Sequence, residues 1–182
     1  MTATLARHTV GVMGSGTDPH EVLARAVGEL LADLGVNLLT GGGGGTMTAV
    51  SRAFVQRPRR CGIVIGIIPC EDEAHRGTPK HGYPNPFVEL AIVTHLPYSG
   101  SDGTHDLSRN HINVLSSTAI VALPGGDGTA SEVTLALRYG KPVVVFSAEP
   151  TLVAHFPAAA DRVTSIDGVR QFVCDCLKRV RG

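Results

Sequence analysis

The sequence predicts a single Rossmann-like α/β domain spanning residues 1–182, in which helices flank a doubly wound, mainly parallel sheet of about six or seven strands. Apolar runs typical of strands buried on both faces alternate with segments whose apolar residues recur at helical spacing. Glycine-rich turns follow several of these runs. A chain of 182 residues, 43% of them hydrophobic, is long enough for one well-buried core and short for two domains of ordinary size.

The first half of the chain alternates strand and helix patterns from its beginning. Runs rich in Val, Ile and Leu predict strands at 9–13, 36–40, 62–68 and 87–94. The apolar stripe between Val22 and Leu34 predicts a helix, and the glycine run Gly41–Gly45 opens a second one. A segment rich in Pro, Gly and His at 70–86 separates the last two strands. We expect this segment to lie over the surface.

The second half continues the alternation. Strands are predicted at 119–123 and 141–146, and helices at 106–117 and 169–179. Val133, Ala136 and Leu137 predict a further helix that stops at Gly140. Between the first of these strands and the helix that follows it lies the run Pro-Gly-Gly-Asp-Gly-Thr. Helix and strand therefore alternate along nearly the whole chain, which indicates right-handed crossovers and ligands bound beyond the carboxyl ends of the strands.

The loop that enters the helix ending at Gly140 is the strongest candidate for a binding site. Backbone N–H groups at the start of a helix have no intrahelical acceptor, and the helix dipole favours negative charge there. Glycines leave room for an anion to approach these groups. The sequence therefore predicts a phosphate site at Gly125, Gly126, Asp127, Gly128 and Thr129.

Two further glycine loops follow predicted strands, so we expect them at the same edge of the sheet. The residues predicted to line a ligand pocket come from these loops and from the 106–117 helix: Gly14, Ser15, Gly42, Gly43, Gly44, Thr46, Met47 and Asn110. Pro19 stands where a dinucleotide fingerprint has its third glycine, which argues against NAD. Neither later glycine loop is followed by the Lys-Ser/Thr pair of a P-loop.

Two charged residues have alternative interpretations. Thr129 and Glu132 have the spacing of a capping box, in which the carboxylate turns back to the helix start. Alternatively, Glu132 points toward the sugar of a bound nucleotide. Arg109 lies near a helix start, where its charge opposes the dipole, so it either serves a ligand or forms a surface ion pair.

Composition excludes several other classes of function. Sixteen basic and sixteen acidic residues balance, without a basic run interleaved with aromatic residues, so we expect no nucleic-acid partner. No apolar stretch approaches membrane-spanning length and no signal-peptide pattern is present, so we expect no membrane partner and a cytoplasmic location. The four cysteines lack the CxxC spacing of a zinc site, and we predict free thiols and no metal.

Ser108-Arg109-Asn110, followed by Pro124-Gly-Gly-Asp-Gly-Thr-x-x-Glu132, resembles the LONELY GUY-like superfamily, long mislabelled "possible lysine decarboxylase". The resemblance covers about Val10 to Phe146, and Gly41–Met47 is similar to the family's second glycine loop. It implies a Rossmann-like homodimer that binds nucleoside 5'-monophosphates, with Arg109 and Glu132 at the two catalytic positions. It implies no pyridoxal lysine, and so no lysine decarboxylase.

From the resemblance we expect a nucleoside 5'-monophosphate phosphoribohydrolase, with a molybdenum cofactor carrier as the alternative. Hydrolases of the family cleave a nucleotide to free base and ribose 5-phosphate and need no cofactor, and a carboxylate such as Glu132 suits that reaction. Cytokinin-activating hydrolases carry Arg-Lys where this chain has Arg109-Asn110, and they have a longer segment after the glutamate helix. In both respects the chain looks more like the branch of molybdenum cofactor carriers, which bind a pterin phosphate without cleaving it.

A third alternative is a kinase. Gly125-Gly-Asp-Gly-Thr129 is also the GGDGT string of NAD kinases, diacylglycerol kinases and phosphofructokinases. These are longer chains with a second domain after the motif, and only 50 residues follow Glu132 here. This alternative is therefore remote, and we expect a small phosphorylated ligand.

Overall fold

The computed structural model describes residues 8–179, whose strands form one seven-stranded sheet in which all neighbouring strands are parallel. The strands are β1 (Thr9–Met13), β2 (Asn37–Thr40), β3 (Val64–Ile68), β4 (Leu90–Val93), β5 (Ala119–Ala122), β6 (Val143–Phe146) and β7 (Asp161–Val163). The helices are α1 (Glu21–Asp33), α2 (Thr46–Val55), α3 (Asn110–Leu115), α4 (Asp127–Arg138) and α5 (Ile166–Arg179). The predicted Rossmann-like α/β class is confirmed.

The order of the strands determines where a ligand can bind. Across the sheet they run β4-β3-β2-β1-β5-β6-β7. The chain winds outward from β1 in one direction and then returns to place β5 on the other side of β1. The loops that follow β1 and β5 therefore diverge and leave a crevice at the switch point, where doubly wound sheets bind their ligands.

Helices cover both faces of the sheet. On one face, α1, α2 and α5 bury Leu31, Phe54 and Val173 against β1, β2 and β5. On the other, α3 and α4 bury Val114 and Leu135. Because both faces are covered, the central strands consist almost entirely of apolar residues, and this makes their pattern recognisable in the sequence.

The structure differs from the sequence-based expectation at the two edges of the sheet. The edge strand β7 was not predicted, since Asp161-Arg162-Val163 is short and polar; Arg162 donates hydrogen bonds to the carbonyls of Val153 and Phe156. The opposite edge strand β4 was predicted, but all four of its residues are exposed. The expectation of strands covered on both faces is therefore wrong for β4.

The segment at 70–86 lies over the surface as expected, and residues 71–82 are all exposed. The helix predicted at 106–117 is shorter, because residues 106 and 107 form a turn, Ser108 pairs with Tyr98 in an isolated bridge, and α3 begins at Asn110. The four cysteines are free thiols. Within residues 8–179, no helix combines the length and apolar character needed to cross a membrane.

Candidate functional site

A cavity of about 300 Å³ opens at the switch point between β1 and β5. It is lined by the loops that follow β1, β2 and β5 and by the start of α3. Nine of the predicted site residues lie along its wall: Gly14, Ser15, Met47, Arg109, Asn110, Gly126, Gly128, Thr129 and Glu132. The topology thus brings together residues that are up to 118 positions apart, counted from Gly14 to Glu132.

The start of α4 supplies backbone donors to the cavity. Gly126 is the residue before the helix, in an extended conformation, and no side chain caps the helix. The Thr129 and Ala130 amides donate to the Gly126 carbonyl. The amides that precede them, at the very start of the helix, have no acceptor within the helix. Thr129 is buried and Gly128 half-buried. This arrangement suits an anion.

The loops after β1 and β5 are in direct contact. The Ser15 amide donates to the Pro124 carbonyl at 3.2 Å, and a Cβ added at Gly125 would lie 2.8 Å from the Ser15 nitrogen. Gly125 is therefore required for this close approach and does not itself line the cavity. Asp127 is exposed and does not line the cavity either.

Glu132 is buried one turn into α4, with 8% of its surface exposed. Its carboxylate accepts a hydrogen bond of 2.7 Å from the Asn113 side-chain amide. The capping-box interpretation is wrong, because Gly126 is the cap residue and Glu132 bonds to α3 instead. Burial raises the pKa of Glu132 from 4.5 to about 6, although the charge of Arg109 and the Asn113 hydrogen bond both lower it.

Arg109 is also buried, with 5% of its surface exposed, and it lines the cavity immediately before α3. Its guanidinium lies against Gly41, where any side chain would occupy the same space. The buried Nε and Nη1 atoms have no hydrogen-bond partner among residues 8–179. The surface ion pair considered above is therefore wrong. Arg109 instead lines the cavity with a buried guanidinium, two of whose nitrogens lack a partner among the described residues.

The loop after β2 supports the cavity more than it lines it. Gly41 and Met47 line the wall, whereas Gly42, Gly43, Gly44 and Thr46 do not. The Thr46 hydroxyl donates to the Asp18 carbonyl at 3.0 Å, and its amide donates to the Ser15 carbonyl. Four of the predicted pocket residues therefore hold the loops in place around the cavity.

Sequence reasoning missed several lining residues. One is Tyr83, from the 70–86 segment that was expected to lie over the surface, and another is Gly100, from a 3₁₀ turn. The Ser131 hydroxyl donates to the Gly100 carbonyl at 3.3 Å, which fixes that turn beside α4. For Tyr83 the sequence offers only its composition, as the one tyrosine in a segment otherwise composed of small and polar residues, and this does not place it at the cavity.

The electrostatics of the cavity favour a negatively charged or acceptor-rich ligand. Arg109 and the α4 amides are donors, and Glu132 is the acidic side chain on the wall. Over the described part of the chain, no group of three or more His, Cys, Asp or Glu residues is placed to hold a metal ion.

Comparison with known proteins places the chain among proteins of this fold. Over 96% of its length it is similar to a molybdenum cofactor binding protein from Rippkaea orientalis, at 29% identity with a TM-score of 0.71, covering 99% of that chain. A molybdenum cofactor carrier protein from Chlamydomonas reinhardtii is similar over 95% of this chain and 99% of its own, at 28% identity and a TM-score of 0.69.

Sequence comparison extends this likeness. An uncharacterized protein of Archaeoglobus fulgidus is 34% identical over 136 residues, which cover 74% of this chain and 76% of that protein. The model of the SLOG cluster4 family matches residues 7–173. The resemblance to the LONELY GUY-like superfamily is confirmed, and the chain belongs to the SLOG cluster4 family.

Proposed function

We propose that the chain binds a phosphorylated pterin of the molybdenum cofactor type and carries it without cleaving it. The observation that supports this most is the pair of unpaired donors on buried Arg109, in the same cavity as the open helix start of α4. Buried N–H groups without partners cost free energy, and a ligand with matching acceptors removes that cost. The likeness to molybdenum cofactor carriers along nearly the whole chain supports the same ligand.

The residues of the cavity fit the two chemical parts of such a ligand. The amides at Gly126 and Gly128 and the hydroxyl of Thr129 suit the phosphate, with Ser15 on the facing loop. Arg109 and Asn110 supply side-chain donors for the oxygen and nitrogen acceptors of the pterin. In this proposal the protein holds the organic part of the cofactor, and the bound cofactor supplies the molybdenum.

Calorimetric titration of the full chain with a pterin phosphate tests this proposal. We expect saturable binding that weakens in Arg109→Met and is unchanged in His81→Ala, an exposed substitution outside the cavity. Recovery of the unaltered pterin phosphate after incubation would agree with a carrier. An unchanged affinity in Arg109→Met, or no binding at all, would contradict the proposal.

A second candidate is a nucleoside 5'-monophosphate phosphoribohydrolase, and one observation favours it. Glu132 lines the cavity, and its pKa is raised to about 6. A carboxylate with a pKa near the working pH can both accept and donate a proton during a reaction. In that reaction Glu132 activates water or stabilises the developing sugar cation. The C–N bond breaks and the base leaves with a proton that comes from water. The remaining hydroxide bonds to the sugar carbon and gives ribose 5-phosphate.

Incubation with a panel of nucleoside monophosphates separates the two candidates. Release of free base that is lost in Glu132→Gln would support the hydrolase, which on this proposal requires no cofactor. Binding of pterin phosphate without base release from any nucleotide would support the carrier.

The homodimer and the cytoplasmic location stay predictions. Sedimentation velocity of the full chain tests the first, and a sedimentation coefficient of the monomer at micromolar concentration would contradict it.

A further inference from the structure

Tyr83 is the aromatic residue that the 70–86 segment contributes to the cavity. Residues 71–82 are exposed without exception, whereas Tyr83 is half-buried and Asn85 is 5% exposed. The segment therefore turns inward at its end and places one ring on the cavity wall, beside Arg109 and Met47.

The position of this ring is fixed by Asn85. The Asn85 backbone amide donates to the Gly42 carbonyl at 2.7 Å, and its side-chain amide donates to the Gly43 carbonyl at 3.0 Å. Its side-chain oxygen accepts from the Phe87 amide at 3.1 Å. Every polar group of this side chain is thus bonded, and the end of the segment is attached to the loop after β2.

The Tyr83 ring packs closely against that loop. A Cβ added at Gly43 would lie 2.6 Å from the Tyr83 hydroxyl oxygen, so the absence of a side chain there makes room for the ring. The Arg109 Cζ atom is 5.9 Å from the centre of the ring. The ring is therefore held beside the loop after β2, with the Arg109 side chain near it.

Strand order gives the distance between this ring and the phosphate site. Tyr83 lies over the loop after β2, the donors of α4 follow β5, and β1 alone lies between these strands. Neighbouring strands are about 4.8 Å apart, so the two ends of the cavity are separated by roughly 10 Å. A phosphate joined to a flat ring by a short linker spans this distance, and Arg109, whose Cζ atom is 5.9 Å from the centre of the Tyr83 ring, lines the same cavity.

We propose that Tyr83 is the specificity-determining residue of this site. Its ring forms the wall on which the planar heterocycle of a phosphorylated ligand stacks, while Arg109 donates hydrogen bonds to the acceptor atoms of that heterocycle. This inference rests on the proposed binding function. Stacking on an aromatic ring is tolerant of the exact heterocycle, so Tyr83 selects for the presence of a flat ring and Arg109 for its keto oxygen or ring nitrogens.

Titrations with two probes test the role of Tyr83. The first, 6-hydroxymethylpterin phosphate, carries a flat ring, and the second, ribose 5-phosphate, has none. We expect Tyr83→Ala to weaken binding of the pterin phosphate by about fivefold or more, and Tyr83→Phe to restore it to within about twofold. Binding of ribose 5-phosphate changes by less than about twofold in either variant, because it lacks the stacked group.

The matched control is His81→Ala, two positions away in the same segment, exposed and outside the cavity. Thermal denaturation of each variant shows whether the fold is retained. Unchanged pterin affinity in Tyr83→Ala, or an equal loss for both probes, would overturn the stacking role while leaving the proposed function intact. Absence of pterin phosphate binding by the wild-type chain would instead overturn the proposed function, and this inference with it.

Discussion

The side-chain amide of Asn113 donates a hydrogen bond of 2.7 Å to the carboxylate of Glu132, and both residues are buried. This contact joins α3 to α4 next to the cavity, which Glu132 lines. It also explains why Glu132 does not turn back to its own helix start. The second oxygen of the carboxylate is left for a ligand or for a water molecule.

Replacement of Glu132 by Gln changes the pH dependence of stability. The pKa is raised from 4.5 to about 6 in the folded chain, so the folded state holds the proton more tightly and loses stability as pH rises between these values. This amounts to about 2 kcal/mol once both states are ionised. We expect Glu132→Gln to gain up to about 2 kcal/mol over the wild type at pH 7.5.

Urea denaturation of both proteins at several pH values measures this difference. The gain should shrink as the pH falls through about 6 and vanish below about 4.5, where the wild-type carboxyl is protonated in both states. A difference that does not vary with pH would contradict the assignment.

Removal of the Asn113 amide acts on the same carboxylate in the opposite direction. In Asn113→Ala the buried carboxylate loses its donor, which raises the pKa of Glu132 further, since the hydrogen bond lowers it. We expect a loss of about 1–3 kcal/mol of stability at pH 7.5 and a smaller loss in acid. Carbon-13 NMR of labelled glutamate follows the titration directly, and a lower pKa in this variant would refute the expectation.

The core of the fold could be predicted because the central strands are buried on both faces. Burial on both sides requires continuous apolar runs, and the run Ala119–Leu123 before a glycine turn has few other interpretations. At the sheet edges that requirement disappears. Asp161–Val163 pairs through its backbone with β6 and shows no apolar pattern, so β7 was missed.

Site residues could be predicted from the sequence only where their role follows from the local conformation of the loop in which they stand. The glycines near Thr129 mark a helix start wherever the chain folds. Tyr83 reaches the cavity through long-range bonds of Asn85 to the loop after β2, about 40 positions away in sequence, and nothing local encodes them. The choice of Asn113 as the partner of Glu132 likewise depends on how α3 packs on α4.

Replacement of Arg109 by Met separates binding from stability. The guanidinium is buried with two unpaired donors, so its removal relieves unsatisfied groups. This gain offsets the loss of its positive charge near Glu132, and we expect stability to change by no more than about 1 kcal/mol. Affinity for a pterin phosphate should fall at least about tenfold, because charge-assisted hydrogen bonds are lost. The pKa of Glu132 should also rise, because the charge of Arg109 lowers it. A large loss of stability with unchanged affinity would assign Arg109 a structural role.

Two neighbouring glycines give a matched pair for the phosphate site. A Cβ at Gly125 would lie 2.8 Å from the Ser15 nitrogen and 3.0 Å from the Gly14 carbonyl carbon, whereas one at Gly126 meets no atom within 4 Å. Gly125→Ala should therefore cost about 1–3 kcal/mol. Gly126→Ala should alter stability by less than about 0.5 kcal/mol. It should nevertheless weaken binding of a phosphorylated ligand, because the added methyl group lies where the anion would approach the backbone amides.

Denaturation and phosphate-ligand titration of both variants provide the measurement. Equal stability losses would contradict the packing described at Gly125. Undiminished binding by Gly126→Ala would place the anion elsewhere in the cavity.

Replacement of Asn85 by Ala should release the 70–86 segment from the loop after β2. The variant loses the bond to the Gly43 carbonyl and the one from the Phe87 amide, and leaves both backbone groups without these partners. Arg76 and Lys80 are exposed in this segment, so trypsin reports its mobility. We expect tryptic cleavage of this segment to accelerate several-fold in Asn85→Ala, while the midpoint of thermal unfolding of the protein falls by only a few degrees. His81→Ala, which makes no such contact, should be cut at the wild-type rate.

Because the same bonds hold Tyr83 on the cavity wall, the Asn85→Ala variant should also bind pterin phosphate more weakly. Cleavage at the wild-type rate together with unchanged affinity would show that Asn85 does not fix the segment.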